Sequence, residues 1–376
     1  MPRVTTASFG GGDFRVRMRQ IRVARRWDQP ELANHAGYSS SLISGIETGK
    51  VLPSPDQISA ISEALGYSVD FMTAPLRTGP ATRPWLRSYA DASKRETDAR
   101  RAMASLSGEY IRSLNLRLLP DLIPDFSGDL DDPDAIEDAA LDLREMAGLE
   151  PGAVVGNVVR AAERVGCVVL PFESELGRHL GMSVRVDGIP MVCVAKGGIP
   201  GDRQRFTVAH ELGHLVLHAA APPPASSAQA STMERQAHRF AAAFLTPGEA
   251  VLETLDDVSR GRVTLAVLAE VKSVWGVAIR SLVGRFKELG RIDADQAQSL
   301  YKQISSRGWN RAEPVEVGIE QAQWFPAQIR LRGGADDLRA AAATCTEQIG
   351  GATKDLWAMV DWTYQEATIH RLTARR

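Results

Sequence analysis

The sequence predicts an α+β fold that is mostly helical, with a small β-sheet set into the second half of the chain. Three observations predict it. Apolar residues recur at helical spacing over most of the length, between clear Gly and Pro stops. Two short apolar runs, Met182–Val186 and Ile189–Val194, flank Asp187-Gly188, the dipeptide of a tight hairpin. Directly after them, Phe206 to Leu217 make a strongly apolar helix without proline.

The 376 residues exceed one ordinary domain, so two or three are expected. At 44% hydrophobic and 24% charged, the composition carries neither a disorder nor a membrane bias. No apolar run approaches the ~20 residues of a membrane-spanning helix, and Met1 to Gly12 is polar and Gly-rich, unlike a signal peptide. Cys167, Cys193 and Cys345 are odd in number and widely spaced, which suggests neither a disulfide framework nor a cysteine zinc knuckle. A cytoplasmic protein with no membrane attachment is the expectation. Net charge, at -2, decides nothing, but its distribution does. Arg3, Arg15, Arg17, Arg19, Arg22, Arg25 and Arg26 crowd the first 26 residues against the single acid Asp13.

That cluster opens residues 1–76, read as a compact all-helical domain. Phe14, Met18 and Ile21 mark a first amphipathic helix. A second starts at Gln29-Pro30 with Asp28 as N-cap, and Gly37-Tyr38 makes the turn. Ser39 to Glu47 is a third, ended by Thr48-Gly49-Lys50, and Pro55 to Leu65 is a fourth. Helix, glycine turn, then a helix opening on hydroxyl side chains is the helix-turn-helix order, whose second helix enters the DNA major groove. From Gln29 through Ile43-Ser44-Gly45-Ile46-Glu47-Thr48-Gly49-Lys50 to Ala64-Leu65-Gly66, the segment resembles the XRE (Cro/phage-repressor-like) DNA-binding domain. The resemblance implies duplex DNA as partner, with Gln29 and Lys50 near phosphates and Ser39, Ser40, Ser41 and Ser44 at base edges. Serines cannot make the bidentate base contacts of Arg, Gln or Asn, so affinity is expected to lean on the arginines, Arg25 among them, and on a homodimer.

Residues 77–130 read as a helical connector. Pro75 to Pro84 is a Pro/Gly-punctuated linker, and Trp85 to Leu119 is helical up to Pro120. Its stripe Leu86, Tyr89, Ala92, Ala99, Met103, Leu106, Tyr110 and Leu114 is either core or a dimerisation face, with core preferred.

Residues 131–312 carry the chemistry. After two helices, Ala135–Ala147 and Val154–Val165, come the strand Cys167–Pro171 and the hairpin, and then Phe206-Thr207-Val208-Ala209-His210-Glu211-Leu212-Gly213-His214. Residues four apart on a helix lie one above the other, so His210 and His214 can share one tetrahedral Zn²⁺. Glu211, one step round, can serve as general base toward water. A chance match on a core helix is the alternative. A small sheet before such a helix is the zincin layout, in which substrate is held as an added strand at the sheet edge; Ile189–Val194 is the expected edge. A third metal histidine six residues beyond His214 is excluded, since Ala220 stands there. His218 cannot converge on the same ion from one straight helix and is placed behind the metal ligands. A glutamate on the following helix, with a polar residue four further on to orient a metal histidine, is the gluzincin solution. Glu234 and His238 have that spacing, whereas the neutral Gln236 lies off that face.

The stretch Arg205 to His214 with His218, then Glu234…Ala237-His238-Arg239-Phe240-Ala241-Ala242-Ala243-Phe244-Leu245-Thr246-Pro247, resembles the ImmA/IrrE family of metallopeptidases, as do Val274-Trp275-Gly276-Val277 and Gly308-Trp309. The resemblance covers roughly residues 130 to 312. It implies zinc at His210, His214 and a glutamate, Glu211 as catalytic residue, and DNA-binding repressors as substrates, cleaved to switch on stress or mobile-element genes. Many relatives carry an acid where this chain has Gln236. Residues 313–376, with Trp357 and Trp362, resemble nothing recognised and read as an appendage for sensing or dimerisation. Two functions follow as expectations. One is a DNA-binding regulator that cleaves an XRE-like repressor, or itself near Pro75–Pro84, with a zinc peptidase domain. The other is a one-component XRE-type transcription factor whose metallopeptidase-like domain only senses a ligand.

Overall fold

The computed structural model describes residues 11–79, 81–82, 94–172, 180–222, 224–259 and 261–363. Arg3, and Leu86, Tyr89 and Ala92 of the expected connector stripe, lie outside the described residues.

Helices α1 (Gly11–Ala24), α2 (Gln29–Ala36), α3 (Ser40–Glu47), α4 (Pro55–Leu65) and α5 (Val69–Thr73) make the N-terminal bundle. Their starts are set by side chains. Asp28 and Glu31 form a capping box on α2, Ser54 and Gln57 one on α4, each satisfying two otherwise orphaned N–H groups. Gly37, at φ +73°, ends α2 in the left-handed conformation and lets α3 set off in a new direction. Met18, Ile21, Leu32, Ile43, Ile61 and Leu65 are fully buried between them.

Helix α6 (Lys94–Ser113) packs along α1 and against the sheet. It was expected to continue to Leu119 but stops at Ser113, because Asn115 takes a left-handed φ of +52°. Ala99, Leu106, Tyr110 and Leu114 are buried, so the described part of its stripe is core. The described part of the preceding linker makes specific contacts. Thr78 donates its N–H and Oγ1 to Glu109 Oε1 at 2.8 and 2.7 Å, and Thr82 exchanges two bonds of 2.8 Å with the backbone of Arg185. Ala81 is buried. The described part of the segment expected to be most open to self-cleavage is thus pinned at Thr78 and Thr82.

After α7 (Pro133–Met146) and α8 (Val158–Arg164) come β1 (Val168–Phe172), β2 (Gly181–Val186) and β3 (Ile189–Ala195). Asp187 and Gly188, at φ +50° and +77°, turn β2 into β3 as a tight hairpin whose twist suits the strands. The strand order is β1-β3-β2, with β1 parallel and β2 antiparallel to β3. The expected edge strand, Ile189–Val194, is therefore central, because β1 pairs on its other side; the edge beside the hairpin is β2. The sheet divides two apolar cores. Val169, Val192 and Val194 face one shared with α7 (Pro133–Met146), α9 (Gly201–Leu217) and α10 (Ser227–Leu245). Leu170, Val184 and Met191 face the other, shared with the N-terminal bundle and α6.

Helices α11 (Gly248–Ser259), α12 (Leu265–Trp275), α13 (Ile279–Glu288) and α14 (Ala294–Ser306) complete the first core. Among the described residues, the last three helices, α15 (Trp324–Gly333), α16 (Leu338–Ile349) and α17 (Thr353–Val360), return to the second, where Phe325, Leu356 and Met359 sit with Phe71 and Tyr110. The connector, the N-terminal bundle and the C-terminal helices thus share one core. Among the described residues, no helix is long and apolar enough to cross a membrane.

Candidate metal centre and DNA-binding helix

Helix α9 is anchored at its base by charge. Asp202 pairs with Lys272 at 2.5 Å, and Arg205 pairs with Glu320, which also accepts the N–H of Val158 at 2.6 Å. Gly213 lets α10 pass close: a Cβ there would lie 3.2 Å from the Cβ of Phe240. That approach brings Glu234 onto the histidine pair. His210 Nε2 and His214 Nε2 are 3.1 Å apart, Glu234 Oε2 lies 3.3 Å from the first and Glu234 Oε1 3.5 Å from the second. Zinc bonds of roughly 2.0–2.2 Å in a tetrahedron demand ligand-to-ligand edges of about 3.3–3.5 Å. All three edges fall close to that range. Glu234 Oε2 is buried with no hydrogen-bond partner, an acceptor left aimed into the triangle. Among the described residues this is the one group of three His, Cys, Asp or Glu that could hold a metal.

Burial drives His210 down to about 3, so its imidazole is neutral and able to donate a lone pair. For Glu234, burial alone would raise the carboxyl, but the adjoining imidazoles of His210 and His214 outweigh it and hold it well below the usual carboxylate range. The two groups thus reach the protonation states that a metal ligand needs.

Glu211 lies beside the triangle, against β2 of the sheet. Its Oε2 accepts a hydrogen bond from Ser183 Oγ at 2.7 Å, and both residues are buried. Gly181 makes the approach of β2 fit, since a Cβ there would stand 2.6 Å from Glu211 Oε1. Burial raises the Glu211 carboxyl to about 7, the range in which a group can both take and return a proton. His218 joins the site through His214, Nδ1 to Nδ1 at 2.9 Å, and burial lowers it to about 4. His238 stands edge-on to the His210 ring, centroids 4.9 Å apart. Gln236 stays out of the triangle and bonds His218. A cleft of about 740 Å³ runs past Asp131, Glu234, Arg235, His238 and Glu288. Sequence reasoning missed Ser183; its one signal was a small hydroxyl between Met182 and Val184 in an otherwise apolar strand.

At the other end, α3 exposes Ser40 and Ser41, with Ser44 half-buried and Lys50 exposed beyond it. Ser39 is the N-cap of α3, its hydroxyl accepting from Leu42 N–H at 3.3 Å. Gln29 donates its amide to Glu47 Oε2 at 2.8 Å. Much of the arginine cluster is spent inside the molecule. Arg17 pairs with Glu109 and Arg22 with Glu47, both nearly buried. Arg25, expected at a phosphate, instead holds Asp355 of α17 with bonds of 3.0 and 2.7 Å and the Leu65 carbonyl at 2.6 Å. Arg19 remains exposed on α1.

Bundle and metal triangle together define a DNA-binding regulator that carries a peptidase-family domain. Residues 13–72 match the profile of a helix-turn-helix domain, and residues 162–286 that of an IrrE N-terminal-like domain. The second match spans the sheet and every residue of the triangle. No curated protein matches the chain.

Proposed function

We propose that this regulator is a zinc-dependent endopeptidase that binds duplex DNA through α3 and controls genes by cutting a repressor-type protein with an XRE-like fold. The observation that carries the reading is Glu211, an intact carboxylate held by Ser183 beside a triangle of zinc-like dimensions. A purely structural metal site needs ligands but no base.

When bound at His210, His214 and Glu234, zinc supplies Lewis acidity, which activates water and polarises a scissile carbonyl. The chain's own residues do the rest. Ser183 engages Oε2 of Glu211, leaving Oε1 to take the proton of the attacking water and pass it to the leaving amine. Substrate lies along β2. In the β2–β3 hairpin, the backbone N–H and C=O groups of Gly181, Ser183 and Arg185 point away from β3, and an extended segment at that edge would pair with them. Thr82 already takes those of Arg185. Because the linker is pinned there, a separate repressor is the preferred substrate over the chain itself. Replacing Glu211 by Gln tests the reading: cleavage stops while zinc stays.

A second reading, a transcription factor whose peptidase-like body senses a ligand, draws support from the core shared by α1, α6 and the sheet. Normal gene control by the Glu211→Gln chain, with no cleaved repressor in wild-type cells, would replace the peptidase reading with this one.

A further inference from the structure

Behind the metal triangle runs a line of hydrogen bonds. His214 Nδ1 meets His218 Nδ1 at 2.9 Å, His218 Nε2 meets Gln236 Oε1 at 3.0 Å, and Gln236 Nε2 donates to the Leu130 carbonyl at 2.9 Å. The direction of each bond follows from the far end. A backbone carbonyl only accepts, so Gln236 must turn its NH₂ group to Leu130. The flipped amide would set oxygen against oxygen. Gln236 therefore offers His218 an acceptor, and His218 Nε2 must carry a hydrogen. A neutral imidazole has a single N–H, which makes His218 Nδ1 an acceptor in turn. His214 must then donate from Nδ1, and its lone pair is left on Nε2, the atom that faces His210 and Glu234.

We propose that Gln236, acting through His218, is a positioning residue that fixes the tautomer of His214 for metal binding; the inference rests on the zinc reading above. His214, His218 and Gln236 are 2%, 0% and 8% exposed, so the line is buried along its length and each lost partner is costly. A neutral amide at 236 sets the polarity of the line without adding a buried charge. His210 lacks this support, since its Nδ1 is buried without a hydrogen-bond partner. The two metal histidines are therefore unlike: the protein sets one, and the metal must set the other.

Zinc affinity of the full chain, measured by competition with a chromophoric chelator, tests this without any activity assay. Gln236→Ala and His218→Leu should each weaken zinc about 10–100-fold, the cost of losing a partner behind a ligand. The double variant should fall little further, because the two act as one unit. Independently, ¹⁵N spectra of the histidine rings in the metal-free wild-type chain should show His214 protonated on Nδ1. Protonation on Nε2 overturns the proposal, as does unchanged zinc affinity in Gln236→Ala. A wild-type chain without zinc affinity overturns the zinc reading instead, and the ring spectrum then decides the tautomer alone.

Discussion

Arg25 and Asp355, 330 residues apart in sequence, meet in a two-pronged ion pair that fastens the last turn region of α1 to α17. Tyr67 donates its hydroxyl to the same carboxylate at 2.6 Å, and both charged side chains are nearly covered. Removing one partner strands a buried charge. Arg25→Ala and Asp355→Ala should each cost about 3–5 kcal/mol in denaturant unfolding of the full chain. The double variant should cost much less than their sum, and additive losses would show that the pair is not coupled.

Zinc analysis of the purified chain should find the metal in wild type and almost none in Glu234→Ala, because the triangle then keeps only two nitrogens. Retention of full zinc by Glu234→Ala would rule the glutamate out as a ligand.

Glu211→Gln should keep the zinc, since Glu211 lies outside the triangle and Gln can still accept from Ser183. Cleavage of a repressor substrate should fall about 10²–10⁴-fold, the usual share of general-base catalysis. A variant with wild-type turnover would remove Glu211 from the chemistry.

DNA affinity should fall steeply with salt, since the exposed face of α3 offers hydroxyls rather than bidentate base readers. Lys50→Ala should weaken binding to all sequences about equally and lower the salt slope by about one. Loss of discrimination between sequences in that variant would instead make Lys50 a base reader.

Glu211 also imprints a pH dependence on the metal-stripped chain. Its carboxyl, raised to about 7, binds a proton in the folded state over a range where the unfolded chain, at about 4.3, has lost it. Stability from this group is full at low pH and is lost as pH rises from about 4.3 through about 7. His210 and His218, both depressed by burial, act in the opposite sense as pH falls, so the informative quantity is a difference. The gap between wild type and Glu211→Gln should shift against wild type across that window by about 3 kcal/mol. A pH-independent gap would mean that Glu211 titrates alike in both states.

The helix-turn-helix order, the hairpin and the candidate triangle were all legible in the sequence, because local rules encode them: the Asp28 N-cap, Asp187-Gly188, and two histidines four apart. Three features were not. Strand order was hidden, since nothing in Ile189–Ala195 announces that β1 will pair on its far side. Arg17, Arg22 and Arg25 looked like a footprint for phosphate because their partners Glu109, Glu47 and Asp355 lie far along the chain. Gln236 was weighed only as a ligand, which it is poorly suited to be, and its carboxamide does its work one residue further back, on His218.

Helix α6 and the C-terminal helices cover Tyr67 and Phe71, which are 5% and 6% exposed, and Tyr110 stands against both. Cutting the chain after the bundle would uncover these rings together with Met72 as one contiguous apolar patch. Such a fragment would be prone to pair through that patch, so a dimer found with it would be made by the cut. The stoichiometry that matters on DNA belongs to the uncut chain.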